Sequence, residues 1–130
     1  MDPAILDTDI LSELLRGRNQ RVLSHAAGYR KQFGQFTLST FSVLEVVKGL
    51  VKAGREQRIG SFLQFVEQHN VLTLDTTGAA LAGRIYAGLE SRGLTIGRID
   101  PMIAAIALRH GLTLVTGNTD HLSGLRRVQC

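Results

Sequence analysis

Short apolar runs alternate along this chain with longer stretches whose apolar residues recur at helical spacing, and that alternation restricts the fold more than any other feature. Runs over residues 4–6, 36–39, 71–74 and 112–115 read as strands, with a last short strand around Val128. Between them lie helical stretches over 10–16, stopped by Gly17, and over 21–30. Val43, Val47, Leu50 and Val51 form one helical stripe ended by Gly54, and Ile59, Phe62, Leu63 and Val66 form another. Leu81, Ile85 and Leu89 mark a long helix that stops near Gly93, and 101–110 is a very apolar helix ended by Gly111. Strands alternating with helices imply an α/β domain: a mostly parallel central sheet covered on both faces. A length of 130 residues is expected to form one domain spanning the whole chain.

In such a sheet, ligands bind outside the carboxyl ends of the strands. Four acids are expected there. Asp7 directly follows the first strand, and Glu45 lies in the first turn of the helix after the second. Asp100 opens the helix over 101–110, and Asp120 sits in the loop after the strand over 112–115. Carboxylates gathered at one site repel, and a cation relieves that repulsion. Hard oxygen ligands without His or Cys favour Mg²⁺ or Mn²⁺ over zinc. The four histidines at 25, 69, 110 and 121 show no ligand spacing, and His110 reads as a helix C-terminal residue favoured by the dipole. Each acid also has a local structural reading. Asp7 or Asp9 is able to cap the first helix, and Asp100 before Pro101 fits an N-cap followed by proline. Ser42-Val43-Leu44-Glu45 matches a capping box, and Asp120 suits an Asx turn.

Charge supports a polyanionic partner. Fifteen Lys and Arg face eleven Asp and Glu; with four acids drawn into one pocket, the fifteen face seven, leaving +8 elsewhere. Other chemistries lack their motifs. There is no Gly-rich phosphate loop ending in Lys-Ser or Lys-Thr and no Gly-x-Ser-x-Gly elbow. Aromatic residues are few, so recognition of nucleic acid is expected to rest on phosphates and shape rather than base stacking. The longest apolar run, over 102–108, is far short of a membrane span, and the start Met-Asp-Pro does not look like a secretory leader. The single cysteine, Cys130, excludes an intrachain disulfide and fits a cytoplasmic protein.

Four segments carry a family resemblance. They are Leu6-Asp7-Thr8-Asp9-Ile10, then Leu38-Ser39-Thr40-Phe41-Ser42-Val43-Leu44-Glu45-Val46, then Ile96-Gly97-Arg98-Ile99-Asp100-Pro101-Met102-Ile103-Ala104-Ala105, and Leu114-Val115-Thr116-Gly117-Asn118-Thr119-Asp120-His121-Leu122. In this order, over essentially the whole chain, they resemble the PIN-domain ribonucleases and, within them, the VapC-like toxins of toxin–antitoxin pairs. The resemblance implies a three-layer α/β/α PIN-like domain that cleaves RNA with Mg²⁺ or Mn²⁺ and leaves a 5′ phosphate and a 3′ hydroxyl. It implies that Asp7 and Asp100 are the principal metal ligands and that Glu45 is a ligand or positions the attacking water. Thr116 would orient the acids from behind, beside Asn118 and Asp9. The closing motif departs from the family pattern, with Asn118 in place of an acid and His121 in place of an aromatic, so either Asp120 or Asn118 fills the fourth position. The stretch Arg92-Gly93-Leu94-Thr95-Ile96-Gly97 is similar to that of tRNA-cleaving members, making tRNA the first expected substrate. Arg16, Arg18, Arg84, Arg92 and Arg98 are candidate phosphate contacts. A small VapB-like antitoxin laid over apolar helices and a homodimer are the implied partners. The alternatives are a PIN-fold nuclease acting on DNA or structured nucleic acid, and a catalytically weak PIN-fold binding module.

Overall fold

The structure, a computed structural model, describes residues 1–93, 99–116 and 128–129; for 99, 100, 128 and 129 it describes the backbone only. The elements run β1 (Ala4–Leu6), α1 (Thr8–Arg16), α2 (Gln20–Phe33), β2 (Thr37–Ser39), α3 (Thr40–Lys52), α4 (Ile59–Glu67), β3 (Asn70–Leu72), α5 (Thr76–Ser91), α6 (Ile99–His110), β4 (Thr113–Val115) and β5 (Val128–Gln129). A single 3₁₀ turn, Glu56–Arg58, joins α3 to α4. The described strands form one sheet in the order β3-β2-β1-β4-β5, and every pair is parallel.

Two apolar clusters show how the helices cover this sheet. Successive strand residues point to opposite faces. Ile5 and Leu114 are register partners, and both pack against Ile103, Ala104, Ile106 and Ala107 of α6, with Ile85 of α5 beside them. Leu6 and Leu38 point the other way, into a cluster with Leu11 of α1, Tyr29 of α2, Val43, Val46, Val47 and Leu50 of α3, and Phe62 of α4. Helices on both faces make three layers, α/β/α.

The strand order fixes where ligands can bind. From β1 the chain steps outward through β2 to β3, then returns to place β4 on the other side of β1. The crevice outside the carboxyl ends of β1 and β4 is therefore the topological switch point of the sheet. A backbone bond from Asp7 N to Val115 O, 3.0 Å, extends the β1–β4 ladder up to it.

Several local expectations need correcting. The first helix starts at Thr8 rather than residue 10, because Asp7 and not Asp9 caps it. The helix after β2 starts at Thr40 and is capped by Ser39, whose Oγ accepts from Ser42 N at 3.1 Å. Ser42 therefore lies inside α3, and the Ser42–Glu45 capping box does not form. Glu45 sits in the second turn. Helix α6 begins at Ile99, so Asp100 lies within its first turn rather than before it, and Pro101 is accommodated there because first-turn amides need no helical acceptor. Val51 and Leu63, assigned to buried stripes, are 46% and 41% exposed; Val46 and Phe65 pack inward instead. A stripe wide enough for a core is broader than one row, and its edge positions are the least determined.

His69, which shows no ligand spacing, is buried just before β3. Its Nδ1 accepts the Phe36 backbone N–H at 2.9 Å, and its ring packs between Phe36 and Phe65. Burial, and then the nearby Arg30 guanidinium, hold its pKa below the ordinary 6.5. The unfolded chain therefore takes up this proton first as pH falls. The contribution is full above pH 6.5 and is lost on acidification through the lower folded value. We expect the melting temperature to drop as pH is lowered from 7 to 5, and expect His69→Gln to flatten that drop. An unchanged slope in the variant would remove His69 as its cause.

Candidate active site

Asp7 leaves β1 at the switch point and turns the chain into α1. It is 6% exposed, and both carboxylate oxygens are engaged. Oδ1 accepts from Ile10 N at 2.9 Å, satisfying an orphan amide of the first turn. Oδ2 accepts from the Thr116 hydroxyl, which lies fully buried just past the end of β4. Asp7 is thus held across the crevice by the strand neighbouring its own.

Glu45 arrives from α3, and its partner is the residue after Asp7. Thr8 Oγ1 donates to Glu45 Oε1 at 2.6 Å and lies 2.9 Å from Ser42 Oγ. Glu45 is half-buried, and its Oε2 has no hydrogen-bond partner among the described residues. Thr8, Ser42 and Ser39 had no assigned place in the site. The only trace of them in the sequence is a run of hydroxyl residues around two acids.

Helix α6 enters β4 through Gly111, a left-handed residue at φ 65° that stops the helix and reverses the chain. The helix then runs back along the strand, so its first turn, with Asp100, lies toward the carboxyl edge that bears Asp7 and Thr116. A groove lined by Tyr86, Ala87 and Glu90 of α5 and by Pro101 and Met102 of α6 brings the end of α5 to that same turn. Arg92, just past α5, therefore lies toward this edge. At the far end of the pair, Arg109 Nη2 meets Asp75 Oδ2 at 2.7 Å. The Arg109 side-chain bond, first, and the Gly78 amide hold the Asp75 carboxyl below its ordinary value.

Other expected residues stand apart. Asp9 is exposed in the first turn of α1, where an acid favours the dipole but makes no cap. Arg16 closes α1, ~13 Å along the axis from Asp7 at 1.5 Å per residue, and pairs with Glu13 at 3.3 Å. Arg18 and Arg84 are exposed. Asn118, Asp120 and Arg98 lie outside the described residues, as does the side chain of Asp100. Among the described residues no three His, Cys, Asp or Glu side chains cluster. Of the four expected acids, the two whose side chains are described, Asp7 and Glu45, offer carboxylate oxygens beside the hydroxyl oxygens of Thr8, Ser42 and Thr116, the all-oxygen chemistry that fits a hard divalent cation.

Asp7 thus sits at the switch point of a parallel three-layer sheet, with Glu45 tied to the residue beside it. A PIN domain profile matches residues 4–128. The chain belongs to the PIN-domain family. It is 30% identical over 130 residues to the tRNA(fMet)-specific endonuclease VapC of Shigella flexneri, covering 94% of this chain and 93% of that one. It is 31% identical over 115 residues to Ribonuclease VapC2 of Haemophilus influenzae, covering 88% and 85%. Among solved structures, a chain of a toxin–antitoxin complex from Klebsiella pneumoniae superposes with a TM-score of 0.72 at 25% identity, covering 98% of this chain and 96% of that chain.

The double hold on Asp7 in this PIN domain gives a stability prediction. Asp7→Asn keeps an oxygen for the Ile10 amide, and the Thr116 hydroxyl can rotate to meet the new amide group. It should melt close to the wild type. Asp7→Ala loses both the cap and the bond from Thr116, so it should cost about 2 kcal/mol. Equal melting of both variants would show that these bonds contribute little.

Proposed function

We propose that this PIN domain is a VapC-like endoribonuclease, the toxin of a toxin–antitoxin pair, which hydrolyses phosphodiesters in RNA. The observation that carries the reading is the buried Asp7 carboxylate at the switch point, held on both oxygens, with Glu45 tied to the residue beside it. Near-full-length similarity to proteins named as VapC ribonucleases supports it. Transfer RNA is the substrate class we favour, because one of those relatives is named as a tRNA endonuclease.

Asp7, Glu45 and Asp100, with Asp120 or Asn118 in the fourth place, are the residues that would hold Mg²⁺ or Mn²⁺. Such an ion, when bound, offsets the charge of the phosphate and acidifies a neighbouring water. The chain's own groups do the rest. Asp7 is fixed before substrate arrives, so its charge needs no reorganisation. Glu45 offers Oε2 to orient a water and accept its proton. Arg92, toward the same edge, is the best placed of the described candidate arginines for an RNA phosphate. The excess of Lys and Arg elsewhere draws the polyanion in.

The partner we favour is a small VapB-like antitoxin. A structural neighbour is a toxin–antitoxin complex. Leu44 and Val51 on α3 and Leu63 on α4 are large apolar side chains left 54%, 46% and 41% exposed, the kind of surface a partner covers. A homodimer and a cytoplasmic location belong to the same proposal. No helix among the described residues is long and apolar enough to cross a membrane.

Cleavage of labelled tRNA and of matched DNA by the purified protein tests the reading. Glu45→Gln keeps the shape and removes the charge, so its rate should fall by at least about 100-fold while the fold remains. Mn²⁺ should raise the melting temperature of the wild type and do so far less for Asp7→Asn. RNA cleavage by folded Glu45→Gln at the normal rate would end the site assignment. Preferential cutting of DNA would replace RNA as the substrate.

A further inference from the structure

Thr8 joins the two carboxylate-bearing elements, and its hydroxyl has a direction. A threonine hydroxyl owns one proton. That proton is committed to Glu45 Oε1 at 2.6 Å, so at the 2.9 Å contact Ser42 donates and Thr8 accepts. Ser42 Oγ in turn accepts from Ser39 Oγ at 3.4 Å, and Ser39 Oγ accepts from the Ser42 amide at 3.1 Å. Ser39 and Ser42 are fully buried, so no water competes for these protons. The hydroxyls therefore form a one-way chain from the β2–α3 corner to the carboxylate of Glu45.

Position matters as much as direction. Thr8 is the first residue of α1, so no helical carbonyl lies four residues before it to capture its hydroxyl, as happens within helices. It directly follows Asp7. One peptide unit thus links the capped carboxylate of Asp7 to the group that holds Glu45.

We propose that Thr8 is a positioning residue for the reaction: oriented by Ser42, it fixes Glu45 Oε1 and so sets the placement of Oε2 relative to Asp7. This rests on the reading of Glu45 as a catalytic group. The competing view is that the contact only ties α1 to α3.

The test compares Thr8→Val, Thr8→Ser, Glu45→Gln and the double variant Thr8→Val/Glu45→Gln. The readouts are kcat and KM on RNA, the melting temperature without metal, and the Mn²⁺ dissociation constant by calorimetry. Thr8→Val keeps the shape and loses the hydroxyl. Its kcat should fall and its Mn²⁺ binding weaken, each by about 10- to 100-fold, the usual effect of removing a group that orients a ligand. KM should stay nearly unchanged. Thr8→Ser restores the hydroxyl and should recover both. The double variant should be no slower than Glu45→Gln alone, because the two residues act as one unit. Normal kcat in Thr8→Val beside an inactive Glu45→Gln would overturn the proposal and leave the role of Glu45 standing. So would an equal loss from Thr8→Val in both backgrounds. A normal rate in Glu45→Gln would overturn both. If Thr8→Val does not fold, Ser42→Ala decides: a lowered kcat with a retained melt supports the chain, and an unchanged kcat overturns it.

Discussion

The hold on Asp7 is the constraint on which the rest of the site depends. One oxygen caps α1, and the other takes a hydroxyl from the end of β4. A carboxylate 6% exposed is costly unless donors replace its water. Here the donors belong to the helix it starts and to the strand beside it. Charge-assisted bonds of this kind are roughly twice as strong as neutral ones. The same bonds that make the buried charge tolerable also set the exit of α1 from the sheet, and α1 carries Leu11 into the larger apolar cluster. Site and core are coupled through this one side chain.

The sheet makes that coupling possible. Because β1 lies between β2 and β4, residues that leave its carboxyl end meet elements from both halves of the chain. Thr8 reaches Ser42 and Glu45 across 34 and 37 positions, while Asp7 reaches Thr116 across 109. The apolar clusters on the two faces keep these contacts in register. Ile5 and Leu114 are locked as partners under α6, and Leu38 is locked under α1 to α4. A one-residue slip of so short a strand would exchange its faces and separate Asp7 from Thr116.

Much of this is legible in the residues, and what is not has a common cause. The strands and helices follow from period and stop signals, and their ends move by a residue or two where capping decides. Ser39 and Ser42 are both plausible caps by type. Only the end of β2 selects between them, and that end is set by pairing with β3 rather than by local preference. Val51 and Leu63 fit helical stripes, yet whether an edge position is covered depends on which neighbour crosses it. Thr8 as a junction and His69 as a buried acceptor carry no local mark, since each is defined by a partner more than thirty residues away. Asp7 and Glu45 could be singled out because strand ends in a parallel sheet converge, which is a property of topology rather than of any one residue. Asp100 follows the same rule, and its backbone lies in the first turn of α6.

A structural role for an acid does not exclude a chemical one, and the bonds of Asp7 illustrate why. A capping carboxylate is desolvated on its helix side and fixed in direction by the amide it accepts from. Those are also the properties of a carboxylate prepared for a cation. Placing an acid at a helix N-terminus beside a strand end satisfies the backbone and fixes a carboxylate at the switch point in one step. Glu45 lacks this economy because no orphan amide awaits it in the second turn of α3. Its orientation has to come from another element. Thr8 supplies that donor, itself aligned through buried serines. The hydroxyl chain beside Glu45 thus takes the place that the helix amide takes beside Asp7. Each carboxylate is oriented by donors that the fold has already immobilised, Asp7 by a backbone amide and a hydroxyl, Glu45 by side chains alone.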